Sequence, residues 1–327
     1  MAEPGLRGRL IHGEAMSKHT TWRVGGAADR VYLPADLRDF ANFLRTIPPE
    51  EIVRTVGLGS NLLVRDGGIR GTVIFTHGAL KQTRTGEPTS TPFAFPASPF
   101  TVYAEAGVAS PIVARIAARH SLSGGEFLAG IPGTIGGALR MNAGCWGAET
   151  WDIVERVLVV DRNGNLKQRT KDDYDIGYRS VALKSRKSPS PHSSLPSTSL
   201  GTRLTPHEFF AATWFTFGPG DRSVSLQKIR DLLSRRIASQ PLSIPNAGSV
   251  FRNPPGDHAA RLIETCGLKG AQIGGAAVSV KHANFIVNNG NASAADIEAL
   301  IEKAHEGVLR KTGIDLVREV EIIGDAK

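Results

Sequence analysis

Residues 124–144 read Gly-Gly-Glu-Phe-Leu-Ala-Gly-Ile-Pro-Gly-Thr-Ile-Gly-Gly-Ala-Leu-Arg-Met-Asn-Ala-Gly and constrain the chain more than any other segment. The run holds seven glycines and one proline without being low in complexity. Phe127, Leu128, Ile131, Ile135, Leu139 and Met141 supply apolar anchors to a core. Glycine admits positive φ and lets a ligand come close to the main chain. Backbone amides exposed in succession form concave anion sites. The run therefore predicts an ordered loop built around a phosphate-bearing ligand, with a set of tight structural turns as the alternative.

A chain of 327 residues has room for two or three domains. With 41% apolar and 21% charged residues it has the balance of a soluble globular protein. The net charge of +8 admits a nucleic acid or a small anionic ligand. Lys and Arg are scattered, however. Their densest runs, 183–187 and 234–236, carry no interleaved aromatic platform, which argues against nucleic acid. Cys145 and Cys266 lack partners at metal-ligand spacing, so no metal site is expected; both read as packed thiols in a reducing compartment. Residues 1–18 mix charges throughout and do not form a signal peptide. No stretch reaches the roughly 18–20 apolar residues of a membrane span, so no membrane insertion and a cytoplasmic location are expected.

Along the chain, 30–33 and 52–56 read as strands flanking a helix over 36–46 whose Leu37, Phe40, Phe43 and Leu44 share one face. A glycine turn at 57–61 and a strand over 72–75 complete a β-α-β unit. A strand over 100–107 and a helix over 110–120 lead into the glycine run. Strands are expected at 154–161, 209–217, 284–288 and 316–324, and helices at 224–239, 258–265 and 294–312, the last capped by Gly313. Residues 184–205 are rich in Ser and Pro with excess basic charge and read as a disordered insertion.

Two short glycine sites, 57–61 and 130–137, could each hold part of one pyrophosphate. The first lacks the third glycine of a dinucleotide fingerprint. No Gly-Lys-Ser or Gly-Lys-Thr follows any glycine run, so a nucleoside-triphosphatase loop is absent. A neutral amide-lined cradle suits a tightly held cofactor better than a triphosphate awaiting hydrolysis.

The motifs GLGSNLLV at 57–64, EFLAGIPGTIGG at 126–137, NAG at 142–144, YRS at 178–180, AGSVFRNP at 247–254, KHANFIVN at 281–288 and EVEIIG at 319–324 appear in this order over nearly the whole chain. Together they resemble the UDP-N-acetylenolpyruvoylglucosamine reductases. The resemblance implies a bacterial cytoplasmic flavoenzyme of peptidoglycan synthesis with noncovalent FAD; none of the nine histidines falls in 57–61, which agrees. It implies that NADPH reduces the enolpyruvyl ether of UDP-N-acetylglucosamine to UDP-N-acetylmuramate, and that the protein is a monomer. It also implies an α+β fold of three domains. Residues 1–78, joined by a terminal strand at 315–327, and residues 79–222 would form a vanillyl-alcohol-oxidase-like FAD-binding unit; residues 223–314 would bind substrate.

The reaction needs electrostatic stabilisation of an enolate and a positioned proton donor. By resemblance Ser249 is the donor, Arg179 holds the enolate, and Glu319 is an acidic partner acting through a hydrogen bond in its protonated form. Arg23, Gly57, Gly59, Ser60, Asn61, Gly130, Ile131, Pro132, Gly133, Thr134, Gly136 and Gly137 would bind FAD. Tyr178, Arg236, Asn253, Lys281 and His282 would meet the substrate. Two other readings remain open on the residues alone: a flavin oxidase of the same fold, which would not need the Arg179, Ser249 and Glu319 set, and a noncatalytic nucleotide or RNA binder suggested by the charge.

Overall fold

The computed structural model of the chain describes residues 5–86, 98–184 and 208–327. Apart from Lys184, the Ser/Pro-rich segment 184–205 lies outside them.

The first module is built on strand Ala27–Leu33, whose Ala28, Val31 and Tyr32 are buried. It pairs antiparallel with Arg9–Ala15 and parallel with Ile69–Phe75, which pairs parallel with Val53–Val56. Helix α1 (Leu37–Thr46) begins at Asp36, whose carboxylate accepts from Asp39 N–H. Its Phe43 ring stacks on Tyr32 with centroids 3.6 Å apart. The β-α-β expectation holds. Strand Arg9–Ala15 escapes the sequence pattern because its side chains are largely exposed and show no apolar alternation.

The second module is a five-stranded antiparallel sheet in the order Leu166–Arg169, Val154–Asp161, Glu208–Thr216, Thr101–Glu105, Thr83–Thr85. Helices α2 (Ser110–Arg119) and α3 (Ile135–Met141) pack on one face, with Val113, Ile135 and Leu139 meeting Val102 and Phe215 in one core. Val160, Phe209 and Ala211 join Phe40 and Ile74 in another, so the first two modules share buried surface.

The third module holds the antiparallel strands Gln272–Ile273, Ala276–Val278 and Ile286–Asn288. Helix α5 (Ala259–Thr265) and helix α6 (Ala294–Thr312) cover them. A capping box between Ser293 and Asp296 starts α6, and left-handed Gly313 ends it. Trp22 and Leu63 of the first module enter this core. Among the described residues no helix is long and apolar enough to cross a membrane, and no cluster of His, Cys, Asp or Glu could hold a metal ion.

Three expectations change. The glycine run is not a loop throughout: it contains a 3-10 turn at Glu126–Gly130 and the whole of α3. Only Gly124 of its seven glycines has positive φ. Most of the others serve close approach; a Cβ on Gly136, for example, would press on Ala106 Cβ at 3.0 Å, whereas one on Gly137 would meet nothing nearer than 4.0 Å. Second, the helix expected at 224–239, α4 (Arg222–Ser239), buries Ile229 in the second module's core and not in the third's. Third, the terminal strand over 316–324 is reduced to Glu321–Ile323, parallel to Leu62–Val64. Upstream, the main chain of 317–319 turns to another edge: Arg252 N–H bonds Val317 O and Glu319 N–H bonds Val250 O. One straight strand cannot serve both edges, so Glu319 lies at the crossing between them.

Candidate active site

The two glycine loops meet face to face. A Cβ on Gly57 would overlap Thr134 Oγ1, and one on Gly133 would lie 3.1 Å from Ser60 Oγ. A Cβ on Gly59, at φ +61, would overlap the His19 carbonyl oxygen. Gly130 is pressed by the Trp146 ring and Cys145 Sγ. Side chains at these glycines would clash across the gap; their absence lets the loops close on the Thr134 and Ser60 hydroxyls.

An open cleft of about 360 Å³ adjoins these loops. Arg23, Ser60, Pro132, Arg236, Asn246 and Gly248 line it, so all three modules contribute. Arg23 has φ +59, an unusual backbone for a long side chain. Arg236 donates to Gly130 O at 2.6 Å and Gln240 Oε1 at 2.8 Å. Burial lowers its pKa, opposed by Cys145. Burial pushes the Cys145 thiol up to about 11, against the pull of Arg236 and Arg179, so it stays protonated at neutral pH as a packed thiol.

Beyond Gly130, hairpin strand Gly144–Cys145 leads to the second cluster. Arg179 Nε donates to Glu319 Oε1 at 2.8 Å. Its Nη1 reaches Asn142 O at 3.3 Å and its Nη2 Gly144 O at 2.9 Å. The Tyr178 ring lies 5.2 Å from the guanidinium carbon. Asn142, left-handed at φ 45, caps α3 and donates to Glu149 and the Gly177 carbonyl. Asn61 Nδ2 donates to the Glu319 carbonyl at 3.1 Å, and Glu319 N–H to Val250 O. Burial raises the Glu319 carboxyl above the ordinary range, outweighing the opposing pull of Arg179 and Arg252.

Arg179, Glu319 and Asn61 are thus brought together, and Ser249 lies one residue from the Val250 carbonyl that receives Glu319. Gly248, at φ +78, turns the chain between the cleft and Ser249. Arg179 and Glu319 do not line the cleft itself; they reach it through Asn61 and through Gly144–Cys145 against Gly130. Asn253, Lys281 and His282 each have partners within the chain. Asn253 Oδ1 accepts the first N–H of α5, from Ala259. Lys281 Nζ donates to Ile237 O at the end of α4. His282 packs edge-on to Phe285, and burial lowers its pKa. Sequence reasoning missed Arg252, whose Nη2 donates to the Arg179 carbonyl at 3.0 Å; only its place in the 247–254 motif marked it. It also missed that Arg179 is left-handed at φ +54, which no residue type signals.

Residues 28–169 match the family model described as FAD binding domain. Residues 240–323 match that of the UDP-N-acetylenolpyruvoylglucosamine reductase C-terminal domain. An α+β chain that faces two glycine loops across an FAD-type domain is an FAD-dependent oxidoreductase. Similar curated proteins narrow this. The UDP-N-acetylenolpyruvoylglucosamine reductase of Thiobacillus denitrificans is 54% identical over 98% of this chain and 94% of its own length. That of Nitrosospira multiformis is 52% identical over 98% of this chain and 90% of its own. The crystal structure of the Thermus caldophilus reductase superposes with a TM-score of 0.73 at 28% identity, covering 98% of this chain and 100% of that one. The chain belongs to the UDP-N-acetylenolpyruvoylglucosamine reductase family. Its residues fit FAD: the absent side chains at Gly57 and Gly133 let the two loops approach closely, with the Thr134 and Ser60 hydroxyls between them, as a pyrophosphate cradle requires.

Proposed function

We propose that the protein is an NADPH-dependent reductase of the enolpyruvyl ether of UDP-N-acetylglucosamine, forming UDP-N-acetylmuramate in the cytoplasm. The observation that best supports this is the Arg179–Glu319 pair, tied by Glu319 N–H to the Val250 carbonyl, one residue from Ser249. An oxidase of the same fold has no use for such a set.

Gly57, Gly59, Ser60, Asn61, Gly130 to Thr134, Gly136, Gly137 and Arg23 would hold FAD, which when bound supplies hydride chemistry. The chain's own residues do the rest. Arg179 has three of its five N–H groups committed to Glu319, Asn142 and Gly144; the remaining two are for the substrate carboxylate, where charge develops as the vinyl carbon is reduced. Glu319, whose carboxyl burial shifts upward against the pull of Arg179 and Arg252, orients the Arg179 guanidinium through its Oε1. The Ser249 hydroxyl delivers the proton to the carbon next to the carboxylate. Arg236 faces the cleft with a charge suited to the diphosphate. We infer that α4 moves with the FAD-binding modules and that the substrate module begins near residue 240.

The test is purified protein checked for flavin absorbance, then NADPH oxidation with and without the UDP-enolpyruvyl substrate. Colourless protein that cannot be reconstituted with FAD overturns the proposal. NADPH turnover that ignores the substrate favours the oxidase. Ser249→Ala should abolish substrate reduction and leave flavin reduction by NADPH intact; equal loss of both half-reactions refutes the role of Ser249.

A further inference from the structure

Arg179 occupies a difficult place in the chain. Gly177 pairs with Ser180 across strands Tyr174–Gly177 and Ser180–Leu183, so Tyr178 and Arg179 form a two-residue turn. Its second residue is left-handed, φ +54, where glycine is the usual occupant. Such a conformation persists only where its surroundings over-determine it. The side chain is tied to Glu319, Asn142 and Gly144, but those bonds orient the guanidinium and do not hold the peptide. The peptide carbonyl is held by Arg252 Nη2 at 3.0 Å.

Arg252 is itself fixed from the other side. Its N–H bonds Val317 O, and its neighbour Phe251 bridges to Arg318 and is 2% exposed. Its own Nε–H is buried with no hydrogen-bond partner among the described residues. Its charge also faces Glu319. Arg252, three residues after Ser249, thus joins the turn carrying Arg179 through its side chain and the crossing that leads to Glu319 through its backbone.

We propose that Arg252 is a positioning residue for the reduction: by holding the Arg179 carbonyl it keeps that residue in its left-handed turn and its guanidinium aligned with Glu319. The inference rests on the function proposed above. It does not make Arg252 touch the substrate.

The experiment compares flavin-loaded wild type, Arg252→Gln and Arg252→Lys in three measurements. These are anaerobic flavin reduction by NADPH, flavin reoxidation by the enolpyruvyl substrate, and amide hydrogen exchange across 174–184. Arg252→Gln should keep its flavin and stay within about twofold in the NADPH step. Reoxidation should slow roughly 10- to 100-fold, the range for loss of a hydrogen bond from a charged donor. Exchange in the hairpin should rise. Arg252→Lys, which keeps a cationic donor, should recover part of both. Wild-type reoxidation and exchange in Arg252→Gln, or equal slowing of both half-reactions with no recovery by Lys, overturns the proposal. If Arg252→Gln folds poorly, Arg252→Lys against wild type decides it, with an intermediate rate and exchange expected and wild-type values in both refuting. A wild-type protein that the substrate never reoxidises refutes the functional reading instead; unchanged hairpin exchange in the variants then still refutes the role of Arg252.

Discussion

Gly57→Ala tests whether the two glycine loops form a cradle whose width is set by missing side chains. The backbone at Gly57 is outside the left-handed region, so alanine adds no conformational strain there. The whole effect is steric. The new methyl would overlap Thr134 Oγ1 and lie 3.0 Å from Thr134 Cγ2 and 3.2 Å from its Cβ. Thr134 is 1% exposed, and its segment bridges to Ala109, so it has no free direction in which to swing. The loop itself must give. Overpacking of this kind costs about 1–3 kcal/mol. If the strain falls on the cofactor-ready shape, the FAD dissociation constant rises roughly 5- to 150-fold. Fluorescence titration of FAD into apoprotein measures it. Repeating the substitution in a Thr134→Ala background removes Oγ1 and Cγ2, and the penalty should shrink to that of the residual 3.2 Å approach. A Gly57→Ala penalty that is equal in both backgrounds, or unchanged affinity with only a lower melting temperature, refutes the reasoning.

Glu319→Gln should slow substrate reduction while leaving flavin content intact. Because burial raises the folded carboxyl above its unfolded value, its proton-linked stability is full at low pH and fades as pH rises through the raised value; melting curves of the variant should lack that decline. Asp161 behaves oppositely. Burial pushes its carboxyl up, but bonds from Lys167 and Asn165 prevail and hold it at about 2. Its contribution should be present above the usual carboxylate range and vanish as pH falls through about 2, so the melting-temperature gap between wild type and Asp161→Asn should close on acidification. Trp22, fully buried, donates Nε1–H to Ile286 O at 2.7 Å; Trp22→Phe strands that carbonyl and should cost about 1–3 kcal/mol in chemical denaturation.

Local patterns carried much of the fold. The apolar stripe of α1, the capping box and Gly313 of α6, and the β-branched runs at 53–56 and 154–161 are short-range signals, and the elements stand where those signals lie. What failed was non-local. The edge strand Arg9–Ala15 owes its state to its partner and not to its own pattern. Glu319 left the strand register because two separated edges claim neighbouring residues of one segment.

The sequence by itself determined that this chain carries two glycine loops without a phosphate-loop lysine, and which motifs accompany them. That much follows from residue type, because glycine's permissiveness and lysine's absence are properties of single positions. The tertiary structure alone decided that Gly57 faces Thr134, that most glycines of residues 124–144 serve close approach and not positive φ, and that Arg252 grips the Arg179 peptide from 73 residues away. Close approach belongs to pairs of segments, and no single residue's chemistry reports the partner it will meet.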